Sequence, residues 1–386
     1  MMNFLAVGGG LLVILLILGD AFETIVLPRR VTRRFRVARL FLRYSWQIWH
    51  AVARRLPSRM DREGSSVRDR FLGIYGPLAL ILLLAVWAVG LVLSFALLLW
   101  GLHPTLTSPG GGAGFGTFLY LSGVTFFTLG YGDVVPLTGT GRIAAVTEVA
   151  TGFSFLALII GYLPVVYQAF SRRETNITLL DARAGSPPSA VEMLRRYAQF
   201  NDTAALEQFL HEWERWSAEL LESHLSYPVL SFFRSQHDHL SWLAALTVIM
   251  DTCTLLMVGV ENGAGRISSR QARLTFSMAR HVVGDLAQIL YAAPRPPREE
   301  RLPPAAMLQL RDLLAAAGLQ VRAGEEAEQW LADLRRLYEP YVAALADRLL
   351  FALPSWLPSE ASDDWQTTAW DWDPAVLPPV DTAEVI

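Results

Sequence analysis

Between Thr125 and Pro136 the chain reads TFFTLGYGDVVP, and from Phe71 to Gly141 Asp133 is the only formally charged side chain. Threonine hydroxyls, two glycines, a tyrosine and one carboxylate thus stand where the flanking sequence is hydrocarbon. Such residues offer oxygen atoms and a backbone able to leave helix or strand, since glycine reaches left-handed conformations cheaply. Non-helical backbone at membrane depth is tolerated only where protein or water surrounds it. Tyr131 and its two glycines must therefore line a protein-enclosed aqueous path. No other constellation competes for chemistry. Cys253 is the single cysteine, which excludes an intrachain disulfide framework, and its apolar surroundings make it core filler. His211, His224, His237 and His239 do not fall on one helical face at metal-ligand spacing. Residues 172–386 hold no catalytic constellation, so no enzyme is expected.

These residues need spans to hold them. The chain has 386 residues, 52% hydrophobic and 18% charged, too apolar for an ordinary soluble enzyme and too charged to be membrane throughout. Three runs, roughly 4–27, 74–100 and 143–170, reach the ~20 helical residues that cross ~30 Å of hydrocarbon. The first lacks a basic leader and a small-residue cleavage site, so it reads as an uncleaved anchor. All 33 basic residues are arginine, a composition that suggests a GC-rich bacterial genome. Residues 28–70 carry thirteen arginines against Asp61, Glu63 and Asp69, or +10, leaving −13 for the rest of a chain of net charge −3. Positive charge stays inside. Segment 28–70 is therefore expected in the cytoplasm, the N-terminus outside, and the loop 101–142 outside. Residues 116–128 form a helix-length run within that loop, so the element enters and leaves from one side.

In this setting the pattern Thr125, Thr128, Leu129, Gly130, Tyr131, Gly132, Asp133 resembles the selectivity filter of the potassium channel superfamily. The resemblance spans 74–170, here in bacterial form with an extra N-terminal transmembrane helix. It implies an all-α membrane protein: a tetrameric potassium-channel pore fold plus a helical cytoplasmic domain. It also implies passive K+ conduction with no cofactor beyond the permeant ion, no nucleic-acid partner, and a place in the bacterial inner membrane. K+ would exchange its water for backbone carbonyls and hydroxyls at Thr128, Leu129, Gly130 and Tyr131. An ordinary strand alternates its carbonyls, and Gly130 and Gly132 supply the left-handed turns that aim them one way. By the same resemblance Leu129 and Tyr131 pack against the pore helix, and Asp133 caps the outer end. Tyr120, Thr125 and Glu148 support the filter. One motif per chain requires a homotetramer. The chain departs from the family at Leu121, Val124 and Phe127, which bears on filter stability. The alternatives are a weakly selective cation channel, should Phe127 distort the filter, and a membrane-tethered signalling protein with a vestigial pore.

Gly152 lies nineteen residues after Asp133, at the family's hinge position. Leu156, Ile160 and Pro164 then recur every fourth residue, on one face expected to line the cavity and gate. Pro164 removes a helix hydrogen bond and is expected to kink the helix, with Gly161 easing the bend. Close helix packing is an equal reading of these glycines. Glu148, one turn before Gly152, needs a partner in the membrane, and Ser122 or Thr125 is in reach. Asp20 and Glu23 are expected to pair with Arg29 or Arg30.

Arg30, Arg33, Arg36 and Arg39 fall every third residue, as in a voltage sensor, but a crossing there would reverse the next span. The segment reads instead as an amphipathic helix on the inner leaflet, its arginines facing anionic lipid. Val37, Phe41, Tyr44, Ile48 and Val52 form its apolar stripe, with Trp46 and Trp49 at the interface.

The expected division is 1–27 anchor, 28–70 basic segment, 71–171 pore module, 172–353 helical cytoplasmic domain and 354–386 tail. An all-α bundle is expected, with Asn201–Thr203 capping one helix and others near 238–259, 266–291, 304–317 and 325–351. Asp251 and several hydroxyls make 242–260 a core helix rather than a span. No Gly-rich nucleotide-binding turn follows a strand. The acidic, Trp- and Pro-rich tail is expected to be disordered, with a latch onto the arginine belt as its possible use.

Overall fold

A computed structural model describes residues 2–27, 36–57, 66–107, 114–200, 203–235, 240–262, 265–267 and 269–358. Within them lie twelve α-helices and five short strands. The chain is an all-α membrane protein. Helices α1 (Met2–Ile25), α3 (Val67–Leu102) and α5 (Gly139–Ala184) are long and apolar enough to cross a membrane.

Two of these helices overrun their apolar stretches. The Ser66 hydroxyl accepts the Asp69 amide at 3.0 Å, a cap that starts α3 at Val67 rather than at residue 74. Helix α5 runs past Phe170 to Ala184 because neither glycine nor proline intervenes before Gly185. Its Ile177, Leu180 and Ala184 are buried in the C-terminal core.

Helix α1 runs antiparallel along α3, and glycines set their closeness. A Cβ on Gly10 would lie 2.9 Å from the Leu98 amide, and one on Gly101 2.8 Å from the Val7 amide. Small residues at such a contact let backbones approach. Near the other end of α1, Asp20 accepts from the Trp87 indole and from the Ala38 amide, both at 2.9 Å. Its cationic neighbour is Arg36, 3.6 Å from Asp20 and 3.8 Å from Glu23. The expected partners Arg29 and Arg30 lie outside the described residues, as does Arg33.

Helix α2 (Val37–Ala53) begins at that Ala38 amide. Its packing corrects the expected interfacial role of the tryptophans. Trp46 is only 2% exposed, and its indole donates to the Arg348 carbonyl at 3.0 Å. The Trp49 indole donates to the Phe71 carbonyl, and its ring stacks on Phe71 at 4.2 Å. Both rings dock α2 onto protein, and Phe41 turns inward with them. Tyr44, Ile48 and Val52 keep an exposed stripe.

The C-terminal body holds α6 (Ala190–Phe200), α7 (Thr203–Ser226), a 3-10 turn (Pro228–Phe232), α8 (Trp242–Val258), α9 (Arg270–Ile289), α10 (Pro304–Ala316), α11 (Glu325–Arg336) and α12 (Glu339–Leu349). Residues 201–202 of the expected cap fall outside the described residues. Every residue of α8, Cys253 included, is buried. The Asp251 carboxylate at its centre meets Arg301 at 2.6 and 3.2 Å and the Tyr338 hydroxyl. The helix expected over 325–351 is broken after Arg336, and Pro340 falls in the first turn of α12, where its missing N–H costs nothing.

Three features depart from an all-helical body ending at 353. Strands β3 (Val260–Asn262), β4 (Gly265–Arg266) and β5 (Gln320–Val321) form an antiparallel sheet in the order β4-β3-β5. Strands this short carry no readable alternation. Trp356 is fully buried, with Arg301 and Arg335 over its ring at 5.8 and 5.7 Å. Its carbonyl accepts the Val191 amide at 3.3 Å. The body therefore includes the first residues assigned to the tail; 359–386 lie outside the described residues.

His224 sits buried in α7, its Nδ1 2.8 Å from the Leu220 carbonyl and its Nε2 3.5 Å from the Arg173 guanidinium. Burial first, then the charge of Arg173, pushes its pKa down from 6.5 to about 3. The folded state thus binds fewer protons than the unfolded one between these values. The contribution is complete above pH 6.5 and is lost as pH falls, by up to about 1.4 kcal/mol per pH unit. Thermal unfolding of the solubilised protein between pH 7 and 5 is expected to show this slope, and His224→Gln to flatten it. Equal slopes in both proteins would remove His224 as the cause.

Candidate functional site

Between α3 and α5 the chain forms β1 (Leu106–Thr107), helix α4 (Phe115–Phe126) and β2 (Val135–Pro136). Helix α4 has 12 residues, about 18 Å at 1.5 Å per residue, too short for ~30 Å of hydrocarbon. Strand β2 pairs antiparallel with β1, Leu106 opposite Pro136, which returns the chain to the level it left. The expected helix 116–128 thus ends two residues early, and Thr128 belongs to the segment that follows.

That segment is built on the last turn of α4. The Phe127 amide donates to the Gly123 carbonyl at 3.1 Å, and the Thr128 amide to Thr125 at 3.0 Å. The Leu129 and Gly130 amides share the Val124 carbonyl at 2.8 and 3.2 Å. Phe127 therefore only completes the helical turn. Backbone φ is then positive at every second residue: Thr128 +58°, Gly130 +55° and Gly132 +78°. An extended chain points successive carbonyls to opposite sides, and a left-handed residue at each alternate position turns them to the same side. The two glycines do this freely. Thr128 does it against its β-branch, a strain of about 1–3 kcal/mol, and nothing in its residue type foretold it.

Residues 127–133 are all exposed on the single chain. Leu129 and Tyr131 are 55% and 70% exposed, so neither packs against its own α4 as the resemblance implied. The supports lie behind. The Tyr120 hydroxyl donates to Asp133 at 2.9 Å. The Ser122 hydroxyl lies between the Val92 carbonyl, at 2.7 Å, and the buried Glu148 carboxyl. One hydroxyl proton faces two acceptors there, and the second Glu148 carboxyl oxygen, Oε2, is buried with no hydrogen-bond partner. Thr125 contributes its carbonyl.

Helix α5 passes through Gly152, Gly161 and Pro164 without interruption. Gly152 is buried, and a Cβ there would lie 2.2 Å from the Phe126 carbonyl oxygen. Its place is a packing contact with the end of α4. Gly161 has nothing within 4 Å of such a Cβ. Leu156, Ile160 and Pro164 share an exposed face, which Phe153 extends, while Phe155, Tyr162 and Val166 face the protein. Of the basic set, Arg36 is tied to α1 and Arg39 lies near it. Among the described residues no group of three or more His, Cys, Asp or Glu is placed to hold a metal ion. His237 and His239 are outside those residues.

Residues 80–169, from α3 through α5, match a family model described as "Ion channel". The uncharacterized membrane protein YdjJ of Bacillus subtilis (strain 168) is 24% identical over 202 residues, covering 52% of this chain. The match spans 58% of that relative's length, little more than half. No solved structure matches the chain.

Proposed function

We propose that the chain is one subunit of a homotetrameric, potassium-selective channel of a bacterial inner membrane. The observation that carries this reading is the left-handed backbone at Thr128, Gly130 and Gly132, at the end of a re-entrant helix between two spans. Four copies about one axis supply stacked oxygen rings that replace the hydration shell of K+ at Thr128, Leu129, Gly130 and Tyr131. The uncovered side chains of Leu129 and Tyr131 then have the neighbouring subunit to pack on. The C-terminal end of α4, partly negative, favours a cation at the inner side of the filter. Leu156, Ile160 and Pro164 line the passage below, where α5 gates it. The arginine-rich segment 28–70, including Arg30, Arg33, Arg36 and Arg39, faces the cytoplasm and its anionic lipids, and the C-terminal body lies on that side. Transport is passive and involves no chemical step.

The reading is tested by the reversal potential of reconstituted protein with K+ on one side and Na+ on the other. A value near the K+ equilibrium potential is expected; a value near zero overturns the selectivity. Tyr120→Phe removes the hydroxyl that donates to Asp133. Flux is expected to persist while single-channel open times shorten several-fold, and unchanged open times would take Tyr120 out of the filter's support.

A further inference from the structure

Where the apolar run of α5 ends, a cavity of about 530 Å³ opens between α5 and the C-terminal half of α7. This is within the size range of small-molecule sites, about 300–1,000 Å³. Arg172 and Arg173 stand on its α5 wall, and Trp216, Glu219 and Glu222 on its α7 wall. Arg173 is engaged by Glu174 at 2.9 Å and by the Leu230 and Phe233 carbonyls at 3.0 and 2.9 Å. The other charges are not so matched. Among the described residues, neither the exposed Arg172 guanidinium nor the exposed Glu219 carboxylate has a hydrogen-bond or ion-pair partner. Glu222 accepts only from the Ser226 hydroxyl, at 3.1 Å. Trp216 is 3% exposed, yet its indole N–H meets no acceptor among the described residues.

Glu219 and Glu222 lie three residues apart near the C-terminal end of α7. There they oppose each other and the partial negative charge of the helix end. That wall calls for a cation. Arg172 and the Trp216 indole offer donors, and they call for an anion; a carboxylate takes charge-assisted bonds from a guanidinium. A cation alone would leave both donors unmatched, and an anion alone would leave both carboxylates. Residues three apart on a helix are neighbours, about 5–6 Å between Cβ atoms. The donor at Trp216 and the acceptor at Glu219 therefore match opposite charges only a few atoms apart in one ligand. Leu220, Tyr227 and Ala169 complete the lining with apolar surface.

We infer that this cavity binds a free α-amino acid with an apolar side chain, its carboxylate at Arg172 and Trp216 and its ammonium group at Glu219 and Glu222. The ligand's side chain lies against Leu220 and Tyr227. Arg172 directly precedes Arg173, which already ties α5 to the 3-10 turn and the residue after it. A bound amino acid adds a second tie, from α5 to α7, and so biases the position of α5. An effect of that bias on conduction rests on the channel reading; the binding does not.

The test titrates full-length protein in detergent, by calorimetry, with leucine and with two analogues of the same side chain. Isocaproate lacks the ammonium group, and isoamylamine lacks the carboxylate. Leucine is expected to bind at least tenfold more tightly than either. Arg172→Gln and Glu219→Gln, both at exposed positions, are each expected to weaken leucine at least fivefold. Arg172→Gln is expected to leave isoamylamine unchanged, which a general loosening of the cavity would not do. Trp216→Phe keeps a ring in the core and removes the N–H, and is expected to weaken leucine at least threefold. Should that variant misfold, the two exposed positions decide. No leucine binding, equal binding of leucine and either analogue, or full leucine binding in Arg172→Gln or Glu219→Gln overturns the inference. In liposomes, leucine is expected to change K+ flux at least twofold in the parent and not in Arg172→Gln. Unchanged flux with intact binding would overturn the coupling to α5 alone, whereas a reversal potential near zero would overturn the channel reading and leave the amino-acid site standing.

Discussion

Gly130→Ala is expected to abolish K+ flux, to below about 1% of the parent, in protein that still folds. A Cβ on Gly130 meets nothing within 4 Å, so the effect is not a clash within the chain. It is conformational. At φ +55° an L-residue pays roughly 1–2 kcal/mol that glycine does not. In the proposed fourfold ring the same cost would fall on one small structure four times, about 4–8 kcal/mol together. The alanine peptide escapes by turning to a right-handed or extended well, which swings a carbonyl out of the oxygen row. Liposome flux measures the loss, and an unchanged elution profile with an unchanged unfolding temperature shows the fold kept. Near-parental flux would mean that the row is not the conduction path. Thr128→Ala is a useful contrast: it removes the hydroxyl but replaces one left-handed non-glycine residue by another, so a much smaller loss is expected.

Gly152→Val is expected to have the largest effect on stability, at least 3 kcal/mol per chain. Its first carbon would sit 2.2 Å from the Phe126 carbonyl oxygen, with the Phe126 carbonyl carbon at 3.1 Å. These are backbone atoms of the turn on which the Thr128–Gly132 segment is built, and they cannot yield as a flexible side chain does. Ordinary overpacking costs about 1–3 kcal/mol, and this contact lies beyond it. Either α5 moves off α4 or the last turn of α4 distorts, and both disturb the amides that hold Thr128, Leu129 and Gly130. Thermal unfolding in detergent is expected to shift down by many degrees, with flux lost in parallel. Gly161→Ala is the control: with open space around it and a better helix former in place, its unfolding temperature is expected to be unchanged or slightly higher. Equal behaviour of the two variants would show that the α4–α5 contact carries no weight.

The long apolar helices were legible because twenty apolar residues in a row have few other uses, and the left-handed glycines because no other residue adopts that backbone as easily. The remaining features have a common physical origin outside the sequence pattern. The polar continuation of α5 to Ala184 has no hydrophobic signature of its own; burial of Ile177 and Leu180 against the C-terminal body stabilises it. Trp46 and Trp49 have the composition of interface residues, and only the facing carbonyls of Arg348 and Phe71 assign them to protein. Arg36 is one of many arginines, and the fold chose it for Asp20 because the start of α2 returns there. The left-handed Thr128 follows from the regular alternation with Gly130 and Gly132, a pattern of backbone rather than of residue type. Trp356 looked like part of a solvated tail until the guanidinium groups of Arg301 and Arg335 closed over it.

Helix α5 is continuous over 46 residues, about 69 Å of helical rise. It is held near its upper third, where Gly152 lies against Phe126, and again eleven residues before its end, where Arg173 donates to the Leu230 and Phe233 carbonyls. A shaft clamped in this way behaves as a lever with its fulcrum at Gly152. A tilt of only 5° about that point displaces Pro164 by about 1.6 Å and Ala184 by about 4 Å, at 1.5 Å of rise per residue. Small rearrangements among the helices of the C-terminal body are thereby geared down, not amplified, on their way to the membrane. A displacement of several ångströms at the end of α5 would, on this geometry, move the exposed face at Pro164 by less than half as much.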